Sequence, residues 1–176
     1  MRRSNSCDPD PEADAELVFV LDTNVKIDVE FERKQKPSET VALAILELVK
    51  QGDALLFETE GTQDETWRVE KELKGQMREC VQHPEFVDEL LAHATIYVLA
   101  DNETPWKRMN RYLSNVDIDY LRLITEAHAT VLVTRDKDLL HMDRRISSPG
   151  RVLSPTQCLN FLRTLAVLDS LKTPTP

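Results

Sequence analysis

Two short acidic stretches each close a run of apolar and β-branched residues. Asp22-Thr23-Asn24 follows Leu17-Val18-Phe19-Val20-Leu21, and Arg135-Asp136-Lys137-Asp138 follows Thr130-Val131-Leu132-Val133-Thr134. Continuous apolar runs of this length suit strands buried on both faces. In an open parallel sheet, ligands bind beyond the carboxyl ends of the strands. Both runs therefore deliver acids to one edge. Glu65 and Asp117 fall in the first turns of two predicted helices, and helices starting at that edge would bring Asp22, Glu65, Asp117 and Asp136 together. Two ionised carboxylates ~4 Å apart repel by about 4 kcal/mol at an effective dielectric near 20, so such a cluster needs a cation or shared protons. Oxygen ligands with few or no histidines select Mg²⁺ or Mn²⁺ over Zn²⁺.

The elements that must position these acids alternate along the chain. Val41, Leu43, Ile45, Leu46, Leu48 and Val49 recur at helical spacing between Ser38 and Lys50, and Gly52 ends that helix. Ala54 to Phe57 reads as a second strand. Thr62 and Glu65 have capping-box spacing, which predicts a helix from there towards Cys80. Pro84 opens a helix through Phe86, Val87, Leu90 and Leu91. Thr95 to Leu99 is a third strand, Pro105 to Leu113 a helix, and another helix runs from about Asp117 through Leu121, Ile124 and Ala127. Arg151 to Leu153 is a short fifth strand. Ser154, Pro155 and Gln157 cap a last helix that packs through Leu159, Phe161, Leu162, Leu165 and Leu168. Strands alternating with helices imply an α/β fold whose mainly parallel sheet is covered on both faces. The organisation expected is a flexible tail over 1–16, one domain over 17–171 with a helical insertion at about 75–113, and a second tail over 172–176.

Composition narrows the class. The chain has 176 residues, enough for one domain with a substantial core. It is 41% hydrophobic and 30% charged, with no run near the roughly 20 apolar residues of a membrane helix. Arg2 and Arg3 have no apolar stretch behind them, so the start does not read as a secretory signal, and a cytoplasmic location without membrane contact is the expectation. Cys7, Cys80 and Cys158 are too scattered for a disulfide framework or a zinc site; Cys80 and Cys158 read as helix-face packing. The net charge of −9 opposes binding to phosphates unless acids gather at a cation and basic side chains gather elsewhere. Three basic groups are available: Arg68, Lys71 and Lys74; Lys107, Arg108 and Arg111; Arg144 and Arg145. Trp67 and Trp106 read as packing residues.

At these acids the sequence resembles the PIN-domain nucleases, a family of metal-dependent ribonucleases. The resemblance rests on Leu21-Asp22-Thr23-Asn24-Val25, on an isolated acid opening the second helix, and on Asp117 to Leu140, including Leu132-Val133-Thr134-Arg135-Asp136-Lys137-Asp138-Leu139-Leu140. It spans about Leu17 to Leu153 and is strong at its two ends. It implies a three-layer α/β/α sandwich and Mg²⁺ or Mn²⁺ held by Asp22, Glu65, Asp117 and Asp136. Asn24 and Thr134 match positions that orient the acids, and Asp138 matches a further acid acting through water. Asp64 competes with Glu65, and Asp119 with Asp117; a two-residue step turns a helical side chain through about 200°, and spacing to Thr134 favours Asp117. The activity implied is endonucleolytic hydrolysis of RNA leaving a 5′-phosphate. The resemblance also admits a homodimer, a toxin-type nuclease held by a protein inhibitor, and a catalytically weak RNA-binding or assembly module.

Each acid also has a plainer reading. Asp22 can end its strand in an Asx-turn, Glu65 can cap with Thr62, Asp117 can cap with Ser114, and Asp136 and Asp138 can pair with Arg135 and Lys137. A haloacid dehalogenase-like phosphatase needs a second Asp where Asn24 stands. A phosphoreceiver needs paired acids before the first strand's end and a late Lys more distant than Lys137. With 4 glycines in the chain there is no phosphate-cradling loop.

Overall fold

β1 (Leu17–Leu21) runs through the middle of a five-stranded sheet because both of its faces are apolar. Phe19 and Leu21 point into one core and Val18 and Val20 into the other, as the two-residue period of a strand requires. Burying each such side chain contributes about 1.5–3 kcal/mol. The computed structural model describes residues 17–31, 36–77, 81–101, 106, 112–146 and 148–172.

The other strands are β2 (Ala54–Glu58), β3 (Thr95–Ile96), β4 (Val131–Val133) and β5 (Arg151–Leu153), in the order β3-β2-β1-β4-β5. Every pairing between them is parallel; Phe19 lies opposite both Leu56 of β2 and Val131 of β4. The helices are α1 (Thr23–Glu30), α2 (Lys36–Gln51), α3 (Glu60–Gln76), α4 (Phe86–Ala92), α5 (Asn115–Thr125), α6 (Lys137–Met142) and α7 (Pro155–Lys172). One face of the sheet packs on α1, α2, α4 and α7 through residues such as Ile27, Ile45, Leu90 and Cys158, and the other on α5 and α6 through Leu121, Ile124 and Leu139. The fold is thus the expected α/β/α sandwich. No described helix is long and apolar enough to cross a membrane.

Several boundaries differ from the sequence reading. The helix α1 was not anticipated, because Val25, Ile27 and Val29 alternate with Lys26, Asp28 and Glu30 in a strand-like period. All of these side chains are buried, the charged ones against partners from distant elements. The capping box expected at Thr62 and Glu65 lies one turn earlier: Thr59 is the N-cap and Thr62 its partner. This frame forms because Thr62 also donates to Glu58 Oε2 at 2.6 Å, a bond available only next to the strand end. β3 is two residues long rather than five, and with α4 it makes the 75–113 segment part of the sheet and its cover. The Pro105–Leu113 helix, Cys7, Cys80 and the 1–16 tail fall on residues outside those described, apart from Trp106, Tyr112 and Leu113. Gly52 does end α2, with φ +81°, and Ser154 and Gln157 cap α7 reciprocally.

Candidate metal centre

The chain turns back after β3, so that β1 and β4 flank the point where strand order reverses, the place at which open parallel sheets bind ligands. Asp22 leaves β1 there and Thr134 leaves β4. The Thr134 hydroxyl donates to Asp22 Oδ2 at 2.8 Å, and the Asp22 N–H donates to the Val133 carbonyl at 3.0 Å. Asp22 is only 4% exposed. Burial pushes its carboxyl above the usual range; the Thr134 hydroxyl, the Lys26 ammonium and the Asn24 N–H pull the other way, and the neighbouring Asp117 raises it further.

A cleft of about 130 Å³ opens over Asp22 and is also lined by Asn24, Glu65, Ser114, Asp117 and Tyr120. Three of the four predicted acids therefore share it. Each is engaged. Asp117 accepts from the Ser114 N–H at 2.9 Å and hydroxyl at 2.7 Å, the reciprocal half of the α5 capping box. Glu65, no longer needed as a cap partner, takes Arg68 in two hydrogen bonds of 2.7 and 2.9 Å. Among the described residues no three acid, histidine or cysteine side chains come close enough to hold a metal ion.

Asp136 stands apart from the cleft. It is the N-cap of α6, accepting from the Asp138 N–H at 2.7 Å and the Leu139 N–H at 3.4 Å, because the first turn of a helix has N–H groups without partners. It still connects to Asp22, since the Asp136 N–H donates to the Thr134 hydroxyl at 2.9 Å. Asp138 is exposed on the same turn. Asp119 does not line the cleft; a Cβ on Gly61 would lie 2.9 Å from its Oδ2, which places its carboxylate at the start of α3. Asp64 is exposed on α3 and is not among the cleft residues.

Beneath the cleft lies a polar chain that the sequence reading missed. Tyr120, fully buried, accepts from the Thr23 N–H at 3.0 Å and bonds the Thr23 hydroxyl at 2.9 Å. Burial, together with Glu58 and Asp22, raises its phenol well above the ordinary range. Thr23 in turn meets Thr66 at 3.2 Å, which receives Lys26 Nζ at 3.0 Å. Lys26 Nζ pairs with Glu58 Oε1 at 2.7 Å, both side chains completely buried, and lies 5.5 Å from the Tyr120 ring centre. Glu58 was visible as an acid ending the second strand. A Lys set between Val25 and Ile27 was the matching signal.

The basic groups divide. Arg68 is held by Glu65 and Glu72, and Lys74 by Glu70 and Glu30, so the charges of these two are matched locally. Trp106 packs and donates to Glu126 at 3.1 Å, whereas Trp67 is 41% exposed on α3.

No family model matches this chain, and no curated protein does. Among solved structures it is similar to the crystal structure of PAE2754 from Pyrobaculum aerophilum. The TM-score is 0.56 at 14% identity, over 84% of this chain and 90% of that one. That likeness carries the α/β fold.

In donor type, though not in a closed set of three, the cleft suits a hard divalent cation: its acids offer oxygen donors, with the desolvated carboxylate of Asp22 near that of Asp117.

Proposed function

We propose that this protein is a PIN-like endoribonuclease that hydrolyses RNA phosphodiester bonds with Mg²⁺ or Mn²⁺ at the cleft over Asp22. The observation that carries this reading is the Thr134–Asp22 hydrogen bond across the reversal point of the sheet, roofed by Asp117 and Glu65. Asp22 and Asp117 would hold the cation, with Glu65 joining when it exchanges Arg68 for it. A cation bound there would supply Lewis acidity towards a phosphate oxygen and an attacking water. Thr134 fixes the orientation of Asp22 by donating to Oδ2. Tyr120 and Thr23 hold the first turn of α1, and hence the backbone behind Asp22, in place. Asp136 braces the β4–α6 turn through Thr134, and reaches the cleft only by giving up its cap.

Labelled RNA incubated with Mn²⁺ tests this reading. Asp22→Asn should reduce cleavage by about a hundredfold or more, as expected on losing a central charge-stabilising group. Asp117→Asn should be nearly as damaging, and Asp136→Asn less so. Equal rates for wild type and Asp22→Asn reject the site. A second reading is favoured by the engagement of each acid: a PIN-like module that binds RNA without cutting it. It prevails if Mn²⁺ leaves the melting temperature unchanged while RNA still binds.

A further inference from the structure

Leu113 and Ser114 are neighbours in sequence that line two different hollows. Ser114 belongs to the acidic cleft. Leu113 belongs to a larger one of about 780 Å³, with Met142 beside it at the base, Tyr112, Arg144 and Arg145 at the rim, and Asp138 on the side of the Asp136 turn. The two hollows thus adjoin along the chain through Leu113–Ser114.

The second hollow sets two cations beside an apolar base and an open aromatic ring. In a chain of net charge −9, Arg68, Arg122, Arg135 and Arg151 are each paired with a carboxylate. Among the described residues no carboxylate lies within ion-pair distance of Arg144 or Arg145. The adjacent acid, Asp143, pairs with Arg151 at 2.9 Å and feels Arg144 more weakly, from beyond ion-pair distance. Tyr112 is 83% exposed, an aromatic ring left in solvent at the lip of an apolar base. An open ring, an apolar base and two guanidiniums suit a nucleobase stacked beside its own phosphates. Stacking accepts any base, and guanidinium groups clamp phosphate. A duplex hides the faces of its bases and cannot use the ring.

We propose that this hollow binds the single-stranded RNA flanking the bond to be cut, one base stacking on Tyr112 over Leu113 and Met142, with backbone phosphates on Arg144 and Arg145. Asp138 repels phosphate and keeps the backbone to the arginine side. The proposal rests on the ribonuclease reading for its substrate, and its test is separate. Fluorescence anisotropy of a labelled, unstructured oligoadenylate is measured with the full chain in EDTA, so that binding is read without cleavage, beside a blunt RNA duplex of equal length.

The single strand should bind more tightly than the duplex. Tyr112→Ala should weaken single-strand binding about tenfold, and Tyr112→Phe should restore it. Arg144→Ala with Arg145→Ala should weaken binding and lower the slope of log affinity against log salt by about one to two. These side chains are exposed, and circular dichroism melts check that the variants stay folded. Unchanged affinity in both the Tyr112→Ala and the double-arginine chains overturns the subsite, as does a duplex that binds as well as the single strand. If binding follows the expected pattern while wild type and Asp22→Asn cleave equally, the ribonuclease reading fails and the subsite stands.

Discussion

Burial of Asp22 raises its carboxyl pKa because desolvation outweighs the help of Thr134 and Lys26. By linkage, a carboxyl raised above its unfolded value contributes most to stability at low pH, and that contribution is lost as pH rises through the folded pKa. At neutral pH without a cation, Asp22 therefore costs stability. Asp22→Asn keeps an acceptor for Thr134 and removes the charge, so a melt in EDTA should show Tm higher by about 2–4 °C, roughly the return on 1 kcal/mol for a chain this size. An unchanged or lower Tm would mean that the carboxylate is compensated within the protein. Glu30 provides a test away from the cleft. Burial, with Glu70 close by, pushes its carboxyl from 4.5 to about 7, against the Val87 N–H and Lys74. Its penalty is absent below the ordinary glutamate range and complete above about pH 7. Glu30→Gln should therefore raise Tm at about pH 8 and have little effect near pH 4.5. A gain that is equal at both ends would contradict the assignment.

At the scale of elements, α1 is where local pattern and fold part company. Each buried charge of α1 is matched by another element: Lys26 by Glu58 of β2, Asp28 by Arg135 of the β4–α6 turn, Glu30 by Lys74 of α3. Those partners lie far along the chain, so no window of sequence could reveal a buried helix. The alternation of Val25, Ile27 and Val29 has the two-residue period of a strand, not of a helix. β1, β2 and β4 were legible because their signal is a continuous apolar run, and α7 because its capping pair is local. Asp22 and Thr134 were legible as ends of such runs. The position of Asp136 and the partner of Glu65 were not: the first-turn N–H groups of α6 and the guanidinium of Arg68 compete for these acids, and only the finished fold sets that competition. Breaking the Lys26–Glu58 pair tests the role of α1. Lys26→Met leaves Glu58 buried without its cation and should cost about 3–5 kcal/mol in denaturant unfolding, whereas Lys26→Met with Glu58→Leu should recover much of it. A single variant as stable as wild type would show that the pair does not hold α1 to β2. Gly150 is a second such point: a Cβ there would collide with the Ala129 carbonyl and come within 2.9 Å of Ile124 Cγ2. Gly150→Ala should accordingly lower Tm by several degrees.

For the whole molecule, the net charge of −9 and the proposed nucleic-acid substrate are reconciled by where charge is placed. Acids gather over the sheet reversal at Asp22, Glu65 and Asp117, and Arg144 and Arg145, which have no carboxylate within ion-pair distance among the described residues, stand one hollow away. The cleft that unites the acids lies on the carboxyl edge of a parallel sheet, so its position follows from topology, while its cation and its reaction are the claims that need chemistry. The ends of the RNA products test those claims most directly. Wild type incubated with Mn²⁺ should release fragments carrying 5′-phosphates, and Asp22→Asn, prepared identically, should release almost none. Fragments ending in 2′,3′-cyclic phosphate, or equal cleavage by the two chains, would contradict hydrolysis at the Asp22 cleft.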